Sequence, residues 1–187
     1  IGGIPLAMVG EDFTYLSGDF RRRDRTREVR VDTAYEDRTT ILYYYPGMKP
    51  DLVDALVEQG YRGIVIAGTG LGHVNKPLYP ALQRAVVAGV HVVMTVQTLW
   101  GFAQMYVYDT GRDLLDLGII PLDNMLPEAA YMKLAWVLGQ TDDPARIRAM
   151  MTTPINHEIE PREPHNGYLI LQGGLPEVDA FVQKHWK

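Results

Sequence analysis

Apolar and polar positions along the chain switch repeatedly between a strand period and a helix period. The run Thr40-Ile41-Leu42-Tyr43-Tyr44-Tyr45 is β-branched and aromatic, and Pro46-Gly47 stops it. Leu52, Val53, Leu56 and Val57 then fall on one helical face, with Pro50 suited to the first turn and Gly60 placed to close the helix. Gly63-Ile64-Val65-Ile66-Ala67 is a continuous apolar run, the pattern of a strand buried on both faces of a parallel sheet. A second amphipathic helix is predicted from Leu78, Leu82, Ala85 and Val86, ended by Gly89, and Val90-His91-Val92-Val93-Met94-Thr95 reads as a third strand. Strands that start about every twenty-five residues, with helices between them, predict right-handed βαβ crossovers and a parallel α/β sheet.

Further helices are predicted over 111–117, from Pro127-Glu128 to Leu138 with Gly139 as its stop, and from Asp143-Pro144 to about Met151. Residues 4–9 and 13–17 flank Gly10-Glu11-Asp12 as a hairpin, and a charged, apolar-poor linker follows over 18–37. After Met151 the chain is punctuated by Pro154, Pro161 and Pro164, with an edge strand expected at 168–171 and a helix at 176–186. Three segments result: a hairpin and linker over 1–38, an α/β domain over 39–151, and a tail over 152–187. Helix 127–138 carries Tyr131, Met132, Leu134, Trp136, Val137 and Leu138, more apolar girth than one stripe requires. Such a helix is buried on more than one side, in the core or at a subunit contact. The plain alternative turns Tyr131 and Trp136 into the domain's own core and leaves Lys133 and Gln140 facing out.

Composition narrows the classes. The chain has 187 residues, 47% of them hydrophobic and 22% charged, enough for one domain with a full core and against disorder. A net charge of −5 argues against a protein whose main task is coating nucleic acid. Zero cysteines exclude disulfides and thiolate metal sites and fit a reducing, cytoplasmic setting. The longest apolar run, 85–96, is broken by Gly89 and His91 and is too short to cross a bilayer, so no membrane partner is expected. There is no signal-peptide pattern. Ile1 stands where an initiator methionine would, so the chain reads as a fragment or a processed product.

Candidate chemistry is sparse. Gly68-Thr69-Gly70-Leu71-Gly72-His73 lies between a strand and a helix, where a phosphate loop would sit, but histidine replaces the third glycine of the dinucleotide fingerprint. The expected acid after the next strand is missing too, since Thr95-Val96-Gln97 stands there. No cofactor is expected. The turn is read instead as exposing His73 and Asn75 at the carboxyl edge of the sheet. Histidines at 73, 91, 157, 165 and 185 form no ligand pair at metal-binding spacing, so no metal site is expected. Ser17 is the only serine, and Thr69 and Thr95 are simplest as turn and strand residues, so no nucleophile with its base is found. The run Arg21-Arg22-Arg23-Asp24-Arg25-Thr26-Arg27 could touch phosphates, but Asp19, Asp24 and Glu28 temper it, and it reads as a solvated linker.

Specific stretches carry a family likeness. Residues 60–73, Met94-Thr95-Val96-Gln97, 107–115 and above all 118–141 resemble the C-terminal domain of asparaginase-type amidohydrolases. Within that family, Met125-Leu126-Pro127-Glu128 and the arginine run after Asp19-Phe20 are more similar to the glutaminase-subunit branch of archaeal tRNA-dependent amidotransferases than to plain asparaginases. The resemblance implies a three-layer αβα domain, Rossmann-like or flavodoxin-like, with an N-terminal hairpin arm. It also implies a missing N-terminal domain that holds the catalytic threonines, aspartate and lysine, none of whose motifs occurs here. This half would be inert alone, would dimerise, and would lend His73 and Asn75 to a neighbouring subunit's substrate site. A tRNA-binding amidotransferase subunit is the further partner implied. Departures from the family pattern are Val96 and Thr98 around Gln97, and Phe102-Ala103 where Arg-Val is usual. The alternative is a non-catalytic α/β module retained for dimerisation or docking.

Overall fold

A computed structural model describes residues 6–10, 13–15, 18, 20–98, 101–160 and 183. Contacts divide the chain into two compact units, one of Ile1–Asp32 with Arg162–Lys187 and one of Thr33–Pro161. In the first, β1 (Ala7–Val9) and β2 (Phe13–Tyr15) pair antiparallel as a hairpin, with Ala7 opposite Tyr15 and Val9 opposite Phe13. The strand and helix expected at 168–171 and 176–186 lie outside the described residues, apart from Gln183.

The second unit is an α/β domain. Its sheet runs β3 (Thr39–Tyr43), β4 (Gly63–Gly68), β5 (His91–Val96) and β6 (Ile120–Pro121), all parallel and neighbouring in chain order. Helices α1 (Asp51–Glu58), α2 (Tyr79–Val87) and α3 (Asp109–Asp116) connect successive strands. The chain then continues into α4 (Pro127–Gln140) and α5 (Pro144–Thr152). Side chains alternate across the sheet with the strand period. Ile64, Ile66, Val92 and Met94 join Val53, Leu82 and Leu114 in one core, while Val65 and Val93 join Leu134, Val137, Leu138, Ile147 and Met151 in the other. Three helices therefore cover one face and two the other, in three αβα layers. That is why β4 and β5 carry apolar residues without a polar interval.

Strand β6 does not stand out in the hydrophobic pattern. It has two residues, and its second is Pro121, which has no N–H to give. The ladder is carried on by Leu122, whose N–H donates to the Met94 carbonyl at 2.9 Å. A proline on an outer strand costs no ladder bond.

One expectation for α4, and part of the plain alternative for its polar face, are corrected. Gly139 does not end the helix, which runs on to Gln140. A Cβ there would stand 2.6 Å from the backbone of Ala34 and Tyr35, so this glycine permits close approach of residues 34–36. The Glu36 N–H donates to the Ala135 carbonyl at 2.8 Å, and Gln140 Nε2 to the Ala34 carbonyl at 3.1 Å. Nor does Lys133 face outward. It is buried, and its Nζ donates to the Thr153 carbonyl and to Glu158 Oε1, both at 2.7 Å. Tyr131 and Trp136 turn toward the core, leaving Met132 as the exposed large apolar residue of the helix. The girth of α4 is thus taken up by the sheet, α5, residues 34–36 and the 153–159 loop.

Candidate functional site

In a parallel sheet the loops after the strands' carboxyl ends collect on one edge, where open α/β sheets bind ligands. Here that edge is made by Tyr44 after β3, the 69–75 turn after β4, Gln97 after β5 and residues 122–125 after β6. Gln97 fastens it: its Nε2 donates to the carbonyls of Tyr44 and Ala67, and its backbone N–H to the Gly68 carbonyl at 3.0 Å. Thr95 is fully buried and donates its hydroxyl to the Met125 carbonyl, so it ties the end of β5 to the 122–125 loop.

The turn after β4 folds back as a miniature ladder. Thr69 and His73 exchange backbone bonds of 3.0 and 2.9 Å, and the Thr69 hydroxyl also donates to the His73 carbonyl at 3.2 Å. Gly70 and Gly72 have φ of +54° and +88°, conformations that suit glycine. Gly68 is needed for another reason, since a Cβ there would lie 2.9 Å from the His73 nitrogen.

This turn tucks His73 and Asn75 inward, both half-buried, where the sequence had suggested exposure. The His73 ring lies 5.6 Å from the Tyr108 ring, and its Nδ1 is 3.4 Å from the Thr110 hydroxyl. That contact is long for a hydroxyl–imidazole bond and orients the ring more than it activates the threonine. Burial pushes the imidazole below the ordinary histidine range, which favours the neutral form. His73 Nε2 and Asn75 Oδ1 are buried without hydrogen-bond partners. Two orphaned polar atoms on residues two apart, on a turn held by three glycines, are a place for a polar group.

Tyr108 and Thr110 both touch His73, although the pattern of the chain gave neither a role. They lie more than thirty residues from His73 in sequence and on another loop. Elsewhere on the edge the Tyr43 hydroxyl donates to Glu128 Oε1 at 2.7 Å, which holds that carboxylate below its usual range. Among the described residues, no group of three His, Asp or Glu side chains is placed to hold a metal ion. No helix among them is long and apolar enough to cross a membrane.

The family description of glutaminase/asparaginase C-terminal domains matches residues 38–151. The chain belongs to that family. It is 49% identical over 163 residues to the D subunit of glutamyl-tRNA(Gln) amidotransferase from Thermococcus kodakarensis, covering 86% of this chain and 37% of that protein. The corresponding protein of Methanothermobacter thermautotrophicus is 45% identical over 87% of this chain and 37% of its own length. The chain therefore spans under two fifths of these relatives. Among solved structures, the thermostable L-asparaginase from T. kodakarensis superposes with a TM-score of 0.75 at 29% identity, covering 87% of this chain and 49% of that one. L-asparaginase I from Vibrio cholerae gives 0.73 at 26%, with 83% and 48% covered.

Proposed function

We propose that this chain is the C-terminal half of a glutaminase/asparaginase-type amidohydrolase, which hydrolyses a side-chain amide and releases ammonia. More specifically, we read it as part of the glutaminase subunit of a tRNA-dependent amidotransferase, acting in the cytoplasm with a tRNA-binding partner subunit. The observation that carries this reading is the identity of nearly one half to an amidotransferase D subunit along most of the chain. In this reading the nucleophile and its base lie in an N-terminal domain, and this half is inert without it. The carboxyl edge then completes the pocket, contributing His73 and Asn75 to the site of a neighbouring subunit in a homodimer.

The chemistry of the two side chains suits that task. Asn75 Oδ1 is a buried acceptor in need of a donor, and an amide-bearing amino acid brings N–H groups on its ammonium and its amide. The His73 ring, kept neutral by burial, accepts or donates at Nε2 according to its tautomer. Each contact removes a desolvation penalty that the turn otherwise carries. Exposed Tyr43, Tyr45, Tyr106 and Tyr108 flank the same edge and supply apolar area for a subunit contact there.

Ammonia release from glutamine and from asparagine by the full-length protein tests this. His73→Ala and Asn75→Ala should each lower kcat/KM at least about tenfold, the worth of one hydrogen bond to a polar substrate, with the melting temperature nearly unchanged. Unchanged kinetics in both variants would remove the turn from the site. The similar solved structures are named L-asparaginases, so asparaginase activity is the second reading. Preference for asparagine over glutamine would favour it.

A further inference from the structure

The loop after α5 has neither helix nor strand, yet three successive residues dock it inside the α/β unit. Glu158 pairs with Lys133 and accepts from the N–H groups of Ile155 and Asn156. Ile159 is buried in the core shared with α4 and α5. The Glu160 N–H donates to Asn124 Oδ1 at 2.9 Å, and Asn124 Nδ2 stands 3.5 Å from Glu160 Oε2. Asn124 lies in the 122–125 turn of the carboxyl edge, so the loop after α5 reaches the edge that carries the candidate site.

The contact joins two stretches of unusual backbone. Among the described residues, Asp123 and His157 are the two other than glycine in the left-handed region, with φ of +48° and +62°. Such backbone persists where the surroundings hold it, and it tends to mark places where a group must be aimed. Asp123 is held on both sides. The Leu122 N–H donates to the Met94 carbonyl, the Thr95 hydroxyl to the Met125 carbonyl, and Asn124 is tied to Glu160. The group aimed is the Asp123 carbonyl, which accepts from the Ala103 N–H at 2.8 Å.

Ala103 in turn walls the turn after β4. It is buried, and a Cβ at Gly72 would stand 3.2 Å from Ala103 Cβ and 3.1 Å from Met94 Cγ. Gly72 precedes His73, and its N–H donates to the Thr69 carbonyl at 3.1 Å. Hydrogen bonds and packed atoms therefore run without a gap from Glu160 through Asn124, Asp123 and Ala103 to the turn, the kind of contiguous path that carries coupling. We infer that Asn124 is a positioning residue: braced by Glu160, it fixes the Asp123 carbonyl and Ala103 and so sets the seat of the turn that holds His73 and Asn75. Its consequence for the reaction rests on the reading of that turn as part of the substrate site; the brace itself does not.

The test compares the full-length parent with Asn124→Ala and with the double variant Asn124→Asp, Glu160→Gln. The double variant keeps an acceptor for the Glu160 N–H and reverses donor and acceptor across the side-chain contact. In Asn124→Ala, amide hydrogen exchange should be at least about tenfold faster over 101–105 and 69–75, and unchanged in β4 and β5. KM for glutamine should rise about fivefold or more with kcat within about twofold, because a loosened binding turn loses uniform substrate binding. A generally weakened fold would instead lower the amount of active protein, and hence kcat, and leave KM alone. The double variant should return exchange and KM to within about twofold of the parent. Asn124→Ser, polar but too short to reach Glu160, serves the same comparison if Asn124→Ala does not fold. Unchanged exchange at 69–75 overturns the proposal, whatever happens at 101–105. So does an equal acceleration in β4 and β5, which would make Asn124 a general stabiliser. Faster exchange at 69–75 with KM unchanged upholds the brace and removes the turn from the substrate site, so the two readings fail separately.

Discussion

Lys133 and Glu158 show what one buried charge demands. Lys133 sits on a helix otherwise given over to the core, and its ammonium is satisfied by one carbonyl and one carboxylate from the loop after α5. Burial alone would raise the Glu158 carboxyl. Lys133 and the N–H groups of Ile155 and Asn156 outweigh it and hold the group down at about 2. A carboxyl depressed in the folded state adds stability above its unfolded value near 4.5, and that contribution is lost as pH falls toward about 2. Glu158→Gln should therefore cost about 2 kcal/mol at neutral pH, the worth of a hydrogen bond to a charged group, and flatten the stability profile across that acid window. Urea unfolding at pH 7, 4 and 3 checks both, and an unaltered profile would assign the acid sensitivity to other carboxyls. None of this was legible in the sequence, where Lys133 is one polar letter on a greasy helix. Its partner lies twenty-five positions on, in a stretch that reads only as a proline-punctuated tail.

At the scale of elements the hydrophobic rhythm was a good guide where strands and helices are long, and a poor one at their edges. The runs 63–67 and 90–95 appear as β4 and β5 within a residue, because a strand covered on both faces has no solvent side to interrupt it. The period gives no warning of β6, since two residues carry no periodicity. Glycine is where the punctuation misleads: Gly60 and Gly89 have positive φ just past α1 and α2, whereas Gly139 lies inside α4 beneath residues 34–36. Helix propensity alone predicts that Gly139→Ala stabilises α4 by about 1 kcal/mol. The backbone at 2.6 Å predicts the reverse, a loss of about 1–3 kcal/mol as the strap is pushed away. Thermal unfolding of Gly139→Ala decides between them by its sign. The glycine turn that holds His73 and Asn75 was visible as a motif, but its inward tilt depends on Met94, Tyr108 and Thr110 from other segments.

Across the whole α/β unit, spatial order follows chain order. Each new strand of the sheet lies beside the one made before it, and each connecting helix packs behind them. The second face is covered by α4 and α5, which follow all four strands in the chain. Residues 34–36, at the start of the unit, then lie against α4 near its end, and the Arg62 guanidinium pairs with both Glu36 and Asp142. The start of the unit is thus fastened to the carboxyl end of α4 and the turn after it.

That fastening sets a schedule for the growing chain. When α4 leaves the ribosome, Lys133 has no carboxylate to meet, and it gains one only when the chain has grown a further twenty-five residues. Until then the unit holds a buried cation without its carboxylate, so its locking follows the emergence of α4 and α5. In the refolding protein the same lateness should appear in the rates. Glu158→Gln should speed unfolding while leaving refolding almost untouched, as expected for a contact absent from the transition state. Stopped-flow measurement of both limbs would show it, and a slowed refolding limb would mean that the clasp forms early. The residue that protects the folded unit from coming apart is one of the last to arrive.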